Sequence, residues 1–479
     1  MKTLLMITVM FLFLNSGFAA DNSFKPVKGP SVNFSHGDLK VSSNKRFLVH
    51  SDGTPFFWLG DTAWELFHRP NKQEVDLYLE NRRQKGFTVI QAVILAIDDG
   101  LNKPNALGDR PLIDNNPETP DEKYFEFVDY VISKAKEKGI VIGLLPTWGD
   151  KVGPDPYDGI GPQVFTAENA YIYGKFLGNR YKNMQNIIWI IGGDRPAEKT
   201  SHIWRSMAKG VKDGNNGRHL MTYHSDARSS SVWFNNDDWL DMNMLQSGHA
   251  KRDFENYEMI KSDYDKIPVK PCIDGEPRYE DHPVNWKPES GWYDDFDIRK
   301  AEYWALFAGA HGITYGCNDV WQFFSDKNKP ETSARTPWQK AMDLPGAVQM
   351  LYIRKLIESR PFLNRIPDQT ILESENFSGG DHIQACRGSD GGYAFIYIPT
   401  GKTVTVKMEK ISGKKSNAYW FNPRNGIVER AGVFDNRGVI SFTPPTKGQS
   451  KDWVLVLDDI LKGYPLPGQQ KFIQPKDKN

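Results

Sequence analysis

The strongest constraint on this fold is a recurrence. Short apolar runs return eight times, over 55–60, 86–91, 139–145, 186–191, 219–223, 240–245, 269–274 and 312–316, each followed by polar or turn residues. Stretches with apolar residues at helical spacing lie between several of them, over 72–86, 121–138, 167–181, 200–214 and 297–310. A short apolar run reads as a strand buried on both faces, and intervening helices allow neighbouring strands to pair in parallel. Eight such units at about 31 residues each predict a closed (β/α)8 TIM barrel. The second unit runs long. Residues 96–118 carry many Asp, Asn, Pro and Gly without periodicity, so they predict an insertion walling the strand-end face.

Beyond Pro361 the period changes from helical to alternating. Runs such as Tyr393 to Ile398, Thr403 to Lys407 and Trp453 to Leu457, separated by Gly, Asn and Lys turns, predict an antiparallel β-sandwich. At the other end, Lys2, the apolar run Leu4 to Leu14 and the close Gly17-Phe18-Ala19-Ala20 read as a cleaved signal peptide. The expected organisation is therefore a signal over 1–20, a barrel over 21–360 and a sandwich over 361–479. The expected location is secreted or periplasmic. No second apolar run has membrane length and no cysteine follows the leader, so no membrane anchor is expected. Three cysteines are too few for a disulfide framework. With 60 basic and 60 acidic residues the chain lacks the positive charge that nucleic acid binding requires.

Reactive groups of a barrel sit just past the C-terminal ends of its strands. Two carboxylates directly follow highly apolar runs there: Asp194, after Ile187-Ile188-Trp189-Ile190-Ile191-Gly192-Gly193, and Glu276, after Cys272-Ile273-Asp274-Gly275. The fourth and seventh strands face each other across a barrel mouth. A carboxyl on each side is what glycoside hydrolysis uses, one as proton donor and the other as nucleophile or base. Asp194 also reads as a helix N-cap before Arg195-Pro196. Gly192 and Gly193 would let a ligand approach the backbone.

Asp61, Trp64, Gln91, Trp148, His224, Gln246, His249, Arg278 and Trp321 follow strand ends and are candidates for sugar binding, the tryptophans by stacking. Arg195 and Arg278 are the cations that would meet an anionic glycan. Asp274 reads as structural, because strand alternation points it the same way as Glu276 and only one can be outermost. No cofactor is expected. His-x-His, His-Glu-x-x-His, Gly-x-Ser-x-Gly and phosphate-loop patterns are absent. The loop 153–159 reads as a plain turn rather than a calcium loop.

Three segments together, Phe57 to Trp64, Trp189 to Asp194 and Asp274 to Pro277, resemble the apiosidase-like glycoside hydrolases of family 140. The resemblance covers nearly the whole mature chain. It implies a (β/α)8 catalytic domain with a C-terminal β-sandwich of the collagen-binding type. It also implies release of apiose from side chains of rhamnogalacturonan II, a plant pectin, by secreted enzymes of gut Bacteroides-type bacteria. By the same resemblance Asp194 is the acid/base and Glu276 the nucleophile. Related barrels carry Asn-Glu where this chain has Gly193-Asp194, which shortens the acid and removes a contact to the sugar 2-hydroxyl. The alternative from another class is a non-catalytic barrel that captures glycan for a degradation system. It is told apart by whether both carboxylates face one pocket.

Overall fold

A computed structural model describes residues 28–97, 99–153 and 162–469. The leader and the loop at 154–159 lie outside the described residues. Eight parallel strands build the first domain: β1 (Leu59–Thr62), β2 (Val89–Leu95), β3 (Val141–Thr147), β4 (Ile187–Gly192), β5 (Met221–His224), β6 (Asn243–Leu245), β7 (Cys272–Asp274) and β8 (Ile313–Tyr315). Six pair in the order β8-β1-β2-β3-β4-β5, and β6 pairs with β7. Hydrogen bonds span the two gaps, among them Asp241 N–H to Met221 O at 2.9 Å and His311 N–H to Cys272 O at 2.9 Å. The domain is thus the expected barrel.

The first apolar run splits. Pro55–Phe56 joins Leu39–Val41 and Leu48–His50 in a small antiparallel sheet, and the barrel strand begins only at Leu59. Leu39, Leu48 and Phe56 pack with Trp58 and close the barrel on the side away from the strand ends. Helices occupy Lys72–Gln84, Glu122–Glu137, Ala167–Tyr181, Ser201–Gly214 and Asp295–Phe307, close to the expected stretches. Two more long helices, Asn256–Tyr264 and Pro345–Glu358, and three four-residue ones, Ser231–Phe234, Asn318–Trp321 and Trp338–Ala341, were not among them.

Strand alternation sorts side chains into two cores. Val89, Val93, Val141, Leu145, Ile188, Ile190, Met242, Met244 and Ile273 fill the barrel interior. Their neighbours Ile90, Ile94, Ile142, Trp189, Ile191 and Cys272 pack outward against the helices. Trp64, Trp148, Trp321 and Tyr279 continue the interior stack up to the strand ends, where the site begins.

The second domain is the expected antiparallel sandwich. Its six-stranded sheet runs Arg365–Pro367, Gln384–Gly388, Tyr393–Ile398, Trp453–Asp459, Lys415–Phe421, Val428–Asp435, and Val404–Lys407 pairs with Val439–Phe442 opposite. Ala394, Ile396 and Ile398 point between the sheets. Tyr393, Phe395 and Tyr397 point the other way and join the barrel's helical core. Tyr397 stacks on Tyr303 with centroids 4.6 Å apart and planes 8° from parallel. Arg299 reaches from the barrel to Asp452, both side chains buried, through two bonds of 2.9 Å. One face of the sandwich is therefore an inter-domain core.

Candidate active site

Strand β4 ends in an unusual turn. Gly192 has φ 95°, Gly193 φ 142° and Asp194 φ 51°, three successive residues on the positive side. A Cβ on Gly193 would sit 2.9 Å from both Gly149 N and Trp148 Cα, and one on Gly192 would collide with His224 O. The glycines are thus demanded by the neighbouring strand ends, not by an approaching ligand. Gly193 N–H donates to His224 O at 3.0 Å and Gly193 O accepts from Gly149 N–H at 2.9 Å. Asp tolerates the left-handed region better than most residues. The crowding accounts for Gly193 where related barrels carry Asn, since a side chain at 193 has no room.

Across the mouth, Glu276 stands two residues past the end of β7 and is 8% exposed at its side chain. His249 Nε2 lies 3.1 Å from Oε1. His224 Nε2 lies 3.1 Å from Oε2, off the axis of a straight hydrogen bond. Asp194 N–H donates to His224 Nδ1 at 3.3 Å. That bond makes Nδ1 the acceptor and leaves the proton on Nε2, facing Glu276. A single imidazole therefore links the turn that carries Asp194 to the carboxylate of Glu276.

The two carboxyls are driven apart in acidity. Burial raises the Asp194 pKa to about 7, the charge of Glu276 adding to the rise while Arg195, His224 and Gln246 oppose it. The side chain still keeps 34% of its surface, so a ligand can reach it from the mouth. Burial also acts to raise Glu276, but the two imidazole Nε2 groups of His224 and His249, one against each carboxylate oxygen, outweigh it and hold the carboxyl well below its ordinary range. One group is a proton donor near neutrality and the other an anion.

Aromatic rings enclose the pair. Trp64 stands edge to face with His224 at 5.3 Å and tilted against Trp148 at 5.2 Å. Trp64, Trp148 and Trp321 are 2%, 6% and 7% exposed, so the pit they wall at the barrel mouth shows little of its rings to solvent. Gln246, at the end of β6, contacts Asp194. Among the described residues no group of three or more His, Cys, Asp or Glu is placed to hold a metal ion.

Three expected sugar contacts lie elsewhere. Asp61 has the outward parity of β1, where it accepts from Arg82 Nε and Tyr78 Oη at 2.5 Å each, with no exposure. Gln91 points inward but lies beneath the pit, donating to Gly275 O at 2.9 Å, so it positions the residue before Glu276. Arg278 is fully buried, donates to Phe254 O and sits under the influence of Asp274. It cannot meet an anionic glycan. Asp274 is structural, as read, but for another reason. It points outward, accepting from Ser247 Oγ at 2.7 Å and Asn256 Nδ2 at 3.0 Å, whereas Glu276 lies past the strand, where alternation no longer governs.

The segment after β7 holds what sequence reasoning missed. Tyr279 is buried beside Glu276, and burial together with that charge raises its phenol well above the ordinary value. His282 stacks on His249 at 4.3 Å. The signal was a run of five functional side chains, Arg278-Tyr279-Glu280-Asp281-His282, immediately beyond a strand end.

A carboxyl of raised pKa and one of lowered pKa at the mouth of a (β/α)8 barrel are the pair of groups that glycoside hydrolysis uses. Residues 42–364 match the family model of the apiosidase-like catalytic domain, and the chain belongs to that family. Residues 366–458 match a domain model of collagen-binding type, named for a collagenase. Among solved structures, the chain is similar to a glycoside hydrolase at 36% identity, covering 89% of this chain and 98% of that one with a TM-score of 0.83. It is also similar to a family 5 glycoside hydrolase from Bacteroides vulgatus ATCC 8482 at 34% identity, covering 92% and 96% with a TM-score of 0.84. No curated protein matches it.

Proposed function

We propose that this glycoside hydrolase is exo-acting and retaining, and that it releases apiose from rhamnogalacturonan II side chains. Glu276 attacks the anomeric carbon while Asp194 protonates the departing oxygen. Asp194 then takes a proton from the water that hydrolyses the glycosyl-enzyme, the two-step course of a retaining enzyme. The observation that carries this reading is the opposed acidity of the two carboxyls about one imidazole. An ionised Glu276 suits a nucleophile, and an Asp194 titrating near neutrality suits an acid that must later act as a base.

The close packing of the tryptophan walls supports exo action, since such walls admit a chain end more readily than a chain interior. The choice of apiose rests on family membership and on the Gly193-Asp194 turn, which seats a shorter acid than a glutamate would supply. Export belongs to the same reading, since a pectin substrate lies outside the cell; no helix among the described residues is long and apolar enough to cross a membrane. With Arg278 buried, Arg195 is the cation at the mouth, where it donates to Asp194 Oδ2 at 3.1 Å. Incubation with defined rhamnogalacturonan II oligosaccharides tests the sugar, and proton NMR of the first anomer released tests retention. Release of a different sugar overturns the first, and initial appearance of the opposite anomer overturns the second.

A further inference from the structure

Of fourteen tryptophans, Trp286 alone among the described residues is exposed, at 52%. It stands at the tip of a loop beyond β7, where Pro283 bridges Trp292. Both Asn285 and Trp286 have left-handed backbone, φ 54° and 58°. A bulky residue there is a true outlier, and such conformations persist where the surroundings impose them, often at ligand clamps. The anchors run to the site: Asn285 N–H donates to His249 O at 2.8 Å, and Tyr293 Oη donates to the same oxygen at 2.6 Å.

The indole lies 5.9 Å from the centroid of His249 and 5.9 Å from that of His282, at 81° and 82° to their planes. Those imidazoles are themselves stacked, so the indole stands beside the stack, equidistant and braced by the edges of both rings. About half its surface stays open. A solvated indole held by a strained backbone, one imidazole away from Glu276, has the attributes of a surface on which the flat apolar face of a sugar stacks.

We propose that Trp286 is a stacking platform for a sugar residue outside the pit, on the polymer side of the bond that is cut. The proposal rests on the function proposed above and names the part of the substrate that the pit does not hold. Trp286→Ala should raise KM for rhamnogalacturonan II oligosaccharides about tenfold. Its kcat, and its kcat/KM on a methyl apioside that lacks the polymer side, should stay within about twofold of wild type. Trp286→Phe should recover most of the KM. An unchanged KM on oligosaccharides, or an equal loss on both substrates, overturns the platform. The latter outcome would mean that the indole only supports His249.

A second measurement separates this from failure of the substrate assignment. Glu276→Gln protein is run in affinity gels containing soluble plant polysaccharides, with and without Trp286→Ala. If wild type cleaves no pectic substrate, the apiose reading falls. The platform then stands if Trp286→Ala abolishes retardation by any of the polysaccharides, and falls if it leaves retardation unchanged or if none is retarded.

Discussion

Replacing Arg195 by Met changes the acidity of Asp194 without touching either carboxyl. Arg195 donates to Asp194 Oδ2 at 3.1 Å and is the leading opponent of the rise that burial and Glu276 impose. An opposite charge within hydrogen-bonding distance lowers a carboxyl pKa by about 1 to 3 units. With 34% of the Asp194 side chain in solvent, the lower end applies, about one unit or about 1.4 kcal/mol. The acid must carry its proton to act, so activity falls as pH rises through its pKa, about 7 in the wild type. Loss of Arg195 favours the protonated form, and the alkaline limb of kcat/KM should move up by about one pH unit. Initial rates on a short glycoside from pH 5 to 9 read it directly. A limb that stays put, or moves down, would mean that the alkaline limb does not report Asp194.

Other outcomes follow from the same structure. His249→Phe keeps a ring against His282 and Tyr279 but removes the donor to Glu276 Oε1, a bond to a charged group of about 1.5 to 3 kcal/mol. Its acid limb, which requires ionised Glu276, should move up by about one to two units in a pH profile extended into the acid range below pH 5. For Asp194 the folded pKa is raised above the unfolded value, so its contribution to stability is fully present below about pH 4 and is lost as pH rises through about 7. Asp194→Asn should therefore raise Tm at pH 8 and leave it unchanged at pH 4 in a thermal melt. Arg299→Met takes from the buried Asp452 its two shortest charged contacts at the domain junction and leaves it only Arg424 at 3.4 Å and Tyr397 Oη at 3.2 Å, so it should cost about 1.5 to 3 kcal/mol in a denaturant titration.

The barrel was legible because its strands are nearly continuous apolar runs, and Ile187 to Ile191 admits no other reading in a parallel sheet. The acids were legible because each directly follows such a run. What failed turns on single residues. Asp61 and Gln91 both stand at the end of an apolar run, yet the second strand continues to Leu95, and opposite parity sends Asp61 into the helix layer and keeps Gln91 inside the barrel. Arg278 sits two residues past Glu276, beyond strand geometry, and nothing local says that it folds back under Phe254. The helix Asn256–Tyr264 is short and only weakly amphipathic, so its pattern did not rise above the loop residues around it. Trp286 follows no strand end, and its place beside His249 is made by a loop whose two left-handed residues carry no glycine to announce them.

The central claim is that Glu276 and Asp194 together remove one particular sugar. Wild type, Glu276→Gln and Asp194→Asn, each incubated with rhamnogalacturonan II oligosaccharides and assayed for free monosaccharide by chromatography, test it in a single measurement. The account predicts apiose from the wild type and a loss of at least about a thousandfold in rate from each variant. A different sugar, or near-normal turnover by either variant, would contradict it.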